Sequence, residues 1–192
     1  MLTVIIPTHN SERALVRTLA MLVPGALTGT VREVIVADAV SSDGTAQVVD
    51  IAGCEIAVSD APLAARLKKA AASARGTWLM FLRPGVVLDG SWVEEAARAM
   101  ETALRRGTTA SHAAVFRRTS DADATLPRQI IALLAAAWRR PHPEQGLMIS
   151  REAYDRLGGH RADVPDPEAD LLRRIGRRRI VTLRSGAMGR GE

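Results

Sequence analysis

Only one cysteine, Cys54, occurs in the 192 residues, so no disulfide can form within the chain. It follows Ala52-Gly53 at the start of an apolar run, where a thiol is expected to be buried and structural rather than nucleophilic. Aromatic residues are also scarce, at 3%. The core must therefore rest on Ala, Val, Leu and Ile, and single-stranded nucleic acid would find few side chains to stack on. Lysine is confined to Lys68 and Lys69, so arginine carries nearly all of the formal charge of +5 and the sequence pI of about 10.5. Long hydrophobic runs are missing too: the longest helical one, Ile130 to Trp138, is too short to span a bilayer. The first strand begins almost at once, so no signal peptide is expected. These absences lead to the expectation of a cytoplasmic chain forming one domain over residues 1–192.

The positive balance favours anionic partners. Arg173-Arg174 and Arg177-Arg178-Arg179 read as a cation-rich helix end followed by an exposed strand start, rather than as a phosphate track, and no nucleic-acid partner is expected. Trp138-Arg139-Arg140, closing an amphipathic helix over 126–140, suits peripheral contact with the inner membrane surface or a lipid-linked acceptor.

What the chain does contain is an alternation of strand and helix patterns. LTVIIP is a β-branched run fit for a buried parallel strand, and SERALVRTLAMLV after it is helical, with Asn10 or Ser11 as N-cap and Pro24-Gly25 as its stop. EVIVAD, TAQVVDIA, EIAVS, LAARLKKAAASA and TWLMFL continue the pattern. SWVEEAARAMETALRR, ASHAAVFRR, GLMIS, REAYDRL, DPEADLLRRIG and RRIVTL complete it. This is an α/β chain with a mostly parallel central sheet flanked by helices.

In open sheets of this kind, ligands bind beyond the carboxyl ends of the strands. Three polar stretches fall at such ends: PTHNSE, Asp38 with AVSSDGT, and Arg83-Pro84-Gly85. With VIIPTHNSE, DAVSSDGT and EQGLMISREAYDRLGG, the chain resembles the glycosyltransferases of family 2. It is most similar to the short bacterial subgroup found beside radical-SAM and selenium-related genes, which reads DQGLFVRREVFEALGG at the last stretch. The resemblance implies a GT-A, Rossmann-like fold and transfer of a sugar from a nucleotide-diphospho-sugar to an acceptor not identified by these motifs.

It also implies residue roles. Pro7, Thr8 and Asn10 would line the nucleotide cleft, Asp38 would bond the base, and Asp43 would lie near ribose and phosphates. Asp43 reads equally as a helix N-cap, and Asp38 as a solvated strand-end carboxylate. Gln145 and Gly146 would border the acceptor cleft. The catalytic base that removes the acceptor's proton falls on Glu168, with Asp166 and Asp170 as alternatives; acidic residues there also suit a helix N-terminus.

One departure stands out. The family holds Mn2+ or Mg2+ with an Asp-any-Asp motif where this chain has Arg83-Pro84-Gly85, which offers no carboxylate ligand, and Asp89 reads as a turn residue before Ser91. Two expectations follow. Arg83 acts as a fixed cation on the diphosphate with reduced metal dependence, or the protein is a pseudoenzyme that binds without turnover. Asp38-Ala39-Val40, where the family has Asp-Gly-Gly, fits the second.

Overall fold

The computed structural model describes residues 1–109, 112–118 and 141–189. The expected helix over 126–140, with Trp138-Arg139-Arg140, lies outside them.

β1 (Leu2–Thr8) is buried along almost its whole length because parallel neighbours flank it: β2 (Val31–Asp38) on one side and β4 (Trp78–Phe81) on the other. β3 (Glu55–Val58) extends the parallel half beyond β2. Across β4 the sheet turns antiparallel through β7 (Leu147–Ser150) and β6 (Ala113–Arg118). β8 (Ile180–Gly189) then runs parallel to β6, and β5 (Val86–Leu88) is antiparallel to β8. The order is β3-β2-β1-β4-β7-β6-β8-β5, a mixed sheet in which parallel pairings outnumber antiparallel ones.

The period-two alternation of β1 sends Val4 and Ile6 to one face and Ile5 to the other. The first face packs under α1 (Glu12–Leu27), α2 (Thr45–Ile51) and α4 (Trp92–Arg105). The second packs under α3 (Leu63–Ser73), α5 (Arg151–Arg156) and α6 (Pro167–Ile175). Among the described residues, no helix is long and apolar enough to cross a membrane.

Three details correct the sequence reading. Pro24-Gly25 does not stop α1, which runs on to Leu27 and closes at Gly29, φ 71°. Gly25 lies so close to the Trp92 indole and Val31 that a Cβ would meet them at 2.7 and 2.8 Å, and this packing holds the extra turn despite the proline. Ser11 stands at the N-cap position without capping through its side chain; Asp43, from the β2–α2 loop, accepts the Glu12 amide at 3.1 Å instead. β5 and the full length of β8 exceed the sequence pattern, because their pairing joins segments a hundred residues apart. Cys54 is half-buried, and burial pushes its thiol pKa up, which suits an inert role.

Val40 has φ 55°, a left-handed conformation that strains a β-branched residue. The turn takes a shape that glycine would adopt more readily than valine. Val40→Gly is therefore expected to stabilise the fold by about 1 kcal/mol, read as a raised urea midpoint with unchanged slope.

Candidate functional site

β2 and β3 lie to one side of β1 and β4 to the other, so the topology reverses direction between β1 and β4. A crevice forms at such a switch point, beyond the carboxyl ends of the two strands. Pro7 fits this place. Ile5, two residues earlier, accepts the amide of Leu82, the residue just after β4, so residue 7 faces the same side, where β4 has already ended. A missing N–H leaves nothing unpaired there.

Asp38 ends β2 beside Thr8. Its Oδ1 accepts from the Thr8 hydroxyl at 2.7 Å and the Ser41 hydroxyl at 2.5 Å, and its Oδ2 accepts from the Ser41 amide at 2.7 Å. Burial works against its charge, but these bonds and the nearby Arg66 hold its pKa below the usual carboxylate value. It is 3% exposed, a satisfied buried group rather than a solvated one. Asn10, at φ 49°, accepts the Ser42 amide at 2.8 Å and ties the two loops together. Asp43 accepts the Thr45 hydroxyl and amide at 2.6 and 3.0 Å while capping α1, and Glu12 returns the contact by accepting from Gly44. Those bonds, the Thr45 hydroxyl first, lower the pKa of Asp43.

Beyond the end of β4, Arg83-Pro84-Gly85-Val86 forms a tight turn. The Val86 amide donates to the Arg83 carbonyl at 3.3 Å and Gly85 has φ 85°, the geometry of a type II turn with proline and glycine in their favoured places. The Gly85 amide also donates to the Thr18 hydroxyl at 2.9 Å, which ties the turn to α1. Arg83 is thus presented by a braced backbone.

Its guanidinium reaches Glu168 through Nε at 2.9 Å and Nη2 at 2.5 Å, both on Oε2. The Glu168 side chain is 9% exposed and that of Arg83 37%. Burial opposes the arginine's charge, but Glu168, with Asp166 and Glu144 behind it, outweighs that and raises the Arg83 pKa. The two groups are in contact, with no room for a sugar ring between them.

The other acidic candidates have local duties. Asp166 caps α6 by accepting the Ala169 amide at 2.9 Å, and Asp170 pairs with Arg174 at 2.7 Å. Gln145 donates to the Phe116 carbonyl and accepts the His142 amide, both at 2.8 Å, so its amide group holds the chain. Gly146, at φ 67°, packs against Leu82 and Phe116, which a Cβ would meet at 3.0 and 3.2 Å. Asp89 bonds the Ser91 hydroxyl at 2.7 Å as the turn residue the sequence suggested.

Sequence reasoning missed two groups. One is Arg66, in the first turn of α3, which lies across three strand ends. The signal was its place in a helix that starts directly beyond β3. The other is a buried network behind α6. The Tyr154 hydroxyl and His160 Nδ1 are hydrogen-bonded at 2.9 Å, the Phe81 ring meets the His160 ring edge-on at 4.7 Å, and Arg174 donates to the carbonyls of Leu157 and Gly159. This network fixes the loop that feeds α6, and so the position of Glu168.

Burial, with Arg174 nearby, pushes the His160 pKa from 6.5 to about 4. The unfolded chain then takes up a proton first as pH falls, so stability present above pH 6.5 is lost toward pH 4, by about 3 kcal/mol. Asp170 faces the ring as the opposing charge. His160→Gln is expected to reduce the fall of urea midpoints between pH 6.5 and 4.5, leaving slopes of the same sign from His112, whose pKa burial also lowers, and from Glu33, whose pKa is lowered against its burial by bonds from Thr3 and Arg75.

The metal implied by the fold does not fit these residues. Arg83 has donors only, Pro84 and Gly85 carry no ligand, and among the described residues no three His, Cys, Asp or Glu side chains gather as a metal site.

The family model described as "Glycosyl transferase family 2" matches residues 3–162. Solved structures show the same fold at low identity. A mannosyltransferase from Pyrobaculum calidifontis, in complex with GDP-Man and Mn2+, is 19% identical with a TM-score of 0.73 over 97% of this chain and 56% of its own. TarS from S. aureus is 16% identical, with a TM-score of 0.72 over 98% of this chain and 60% of its own. Glucosyl-3-phosphoglycerate synthase from Mycobacterium tuberculosis, in complex with Mn2+, UDP and glucosyl-3-phosphoglycerate, is 18% identical with a TM-score of 0.71, covering 100% and 72%. The chain thus spans less than two thirds of the first two. No curated protein sequence matches.

Proposed function

The chain belongs to glycosyl transferase family 2, and on that premise we propose that it transfers a sugar from a nucleotide-diphospho-sugar to an acceptor hydroxyl, with Arg83 rather than a bound metal facing the diphosphate. We place it in the short bacterial subgroup on the EQGLMISREAYDRLGG stretch, and take residues 1–192 as one working domain.

The observation that carries this reading is the Arg83 guanidinium carried by a braced backbone turn at the β1/β4 switch point. In the transfer, the acceptor oxygen bonds to the anomeric carbon while the bond from that carbon to the diphosphate oxygen breaks. The acceptor proton passes to a carboxylate, and the departing diphosphate gains negative charge. A guanidinium released from Glu168 stabilises that charge with two parallel donors. Glu168 is the carboxylate in reach, and donor binding would draw Arg83 off it, leaving its oxygens open to the acceptor.

A second reading, binding without turnover, is favoured by the direct contact of Arg83 and Glu168.

Calorimetric titration with UDP and GDP, with and without manganese, tests the proposal. Binding that manganese does not change is expected. Binding that appears only with manganese would overturn the role of Arg83, and no binding of either nucleotide would overturn the transferase reading.

A further inference from the structure

A groove of about 330 Å³ runs between α4 and β8, and Arg98, Arg106, Arg184 and His112 line it. It is not part of the crevice described above. β8 is parallel to β6, and the two antiparallel steps from β6 through β7 give β8 the same sense as β4. The groove borders residues 181–184, in the amino-terminal half of β8, whereas the crevice lies beyond the carboxyl ends of β1 and β4.

Its charges are left unbalanced. On α4, Arg98 pairs with Glu94 and Arg105 with Glu101, each four residues back along the helix. Arg106 has Thr102 at that spacing, and its guanidinium has no hydrogen bond or ion pair among the described residues. The same is true of the Arg184 guanidinium on the facing strand. The only carboxylate lining the groove among the described residues, Glu95, is already spent. Its Oε2 accepts the Arg184 amide at 2.6 Å, the Ser185 amide at 2.9 Å and the Ser185 hydroxyl at 3.1 Å. Those amides belong to a bulge, where β8 advances from Thr182 to Gly186 while β6 advances only from Val115 to Arg117. His112 bonds the Thr108 hydroxyl through Nδ1 at 3.3 Å, and its Nε2 has no partner among the described residues. Burial, and then the charge of Arg106, lower its pKa, as expected where positive charge lacks a counter-ion.

We propose that this groove binds a phosphomonoester through Arg106 and Arg184, with His112 beside the phosphate. The inference does not depend on the sugar-transfer reading. A phosphate dianion supplies the negative charge that Glu95 does not, and its three oxygens suit two guanidinium forks. Val181, 43% exposed, adds an apolar wall for the rest of the ligand. The volume is at the lower end for a small-molecule site, which suits a short-chain or single-ring body.

The test is an NMR titration of the full chain with inorganic phosphate and with glycerol 3-phosphate, reading the ring signals of its four histidines. His112→Gln assigns the signal of interest. That signal is expected to move saturably with either probe, and Arg106→Glu or Arg184→Gln to weaken the binding at least about tenfold, the scale of a lost charge-assisted contact. Lys69→Glu makes the same charge change as Arg106→Glu at an exposed position of α3, across the sheet, and should leave the binding unchanged. His9, whose Nδ1 lies 3.1 Å from the Ala39 carbonyl beside the crevice, reports on phosphate held there instead. Given a response at His112, cosedimentation with phosphatidylcholine vesicles with and without phosphatidic acid separates the sources. Sedimentation that Arg106→Glu abolishes assigns a lipid headgroup, and its absence assigns a soluble ligand. A still His112 signal, or movement of His9 alone, would overturn the inference. So would binding that both groove variants leave intact, or that Lys69→Glu weakens equally.

Discussion

Arg83→Ala is expected to lower kcat for sugar transfer by about 10²- to 10³-fold, the usual loss when a fixed donor facing developing negative charge is removed. Nucleoside diphosphate affinity should fall with it, and excess manganese should restore neither. The turn explains why a metal cannot simply step in. Gly85 has φ 85°, so a carboxylate-bearing side chain placed there would strain the backbone, and Pro84 before it has no ligand to give. Arg83→Lys separates charge from geometry. Lysine keeps the cation but is a point charge without the planar fork, so an intermediate loss of about tenfold is expected. If lysine matched arginine, the fork would be irrelevant and general electrostatic attraction would suffice.

The alanine variant should also lose stability. Glu168 is 93% buried and would keep its carboxylate without its partner. Removing one member of a buried pair costs several kcal/mol, but Arg83 is more than a third exposed, so screening reduces the expected loss to about 1–2 kcal/mol. That is small enough for the variant to be purified and assayed, and urea denaturation would measure it alongside the kinetics.

Much of the fold was legible because its signals are local. The β-branched run of β1, the Pro-Gly turn after β4 and the amphipathic stripe of α3 each announce themselves within a dozen residues. The residues expected at the nucleotide cleft do converge, since strand-end loops in this topology must share one edge of the sheet. What was not legible depends on distant partners. α1 outruns Pro24 because Trp92 packs on Gly25, and Asp43 caps a helix thirty residues before it. Arg66 looks like any helix-surface arginine until three strand ends are seen to meet around it. Gln145 sits in a motif that resembles a ligand site, and its amide is spent on Phe116 and His142. Motif position and side-chain availability are separate facts, and only the second needs coordinates.

Glu168→Gln should move binding and turnover in opposite directions. The glutamine is nearly the same size and retains an oxygen that Arg83 can bond, so the fold should survive with little change. It carries no charge, so it holds the guanidinium less firmly, and a nucleoside diphosphate then competes for Arg83 against a weaker rival. UDP or GDP affinity is expected to rise about threefold to tenfold, the scale of one charge-assisted hydrogen bond made neutral. Transfer, by contrast, should fall about 10²- to 10⁴-fold, because an amide cannot take the acceptor's proton. A purely structural role for Glu168 predicts unchanged turnover per bound donor, which single-turnover kinetics would reveal. A purely binding protein predicts tighter nucleotide affinity with no turnover in either form. The variant thereby separates the two readings that the Arg83–Glu168 contact leaves in competition, since only a base loses rate while its partner gains ligand.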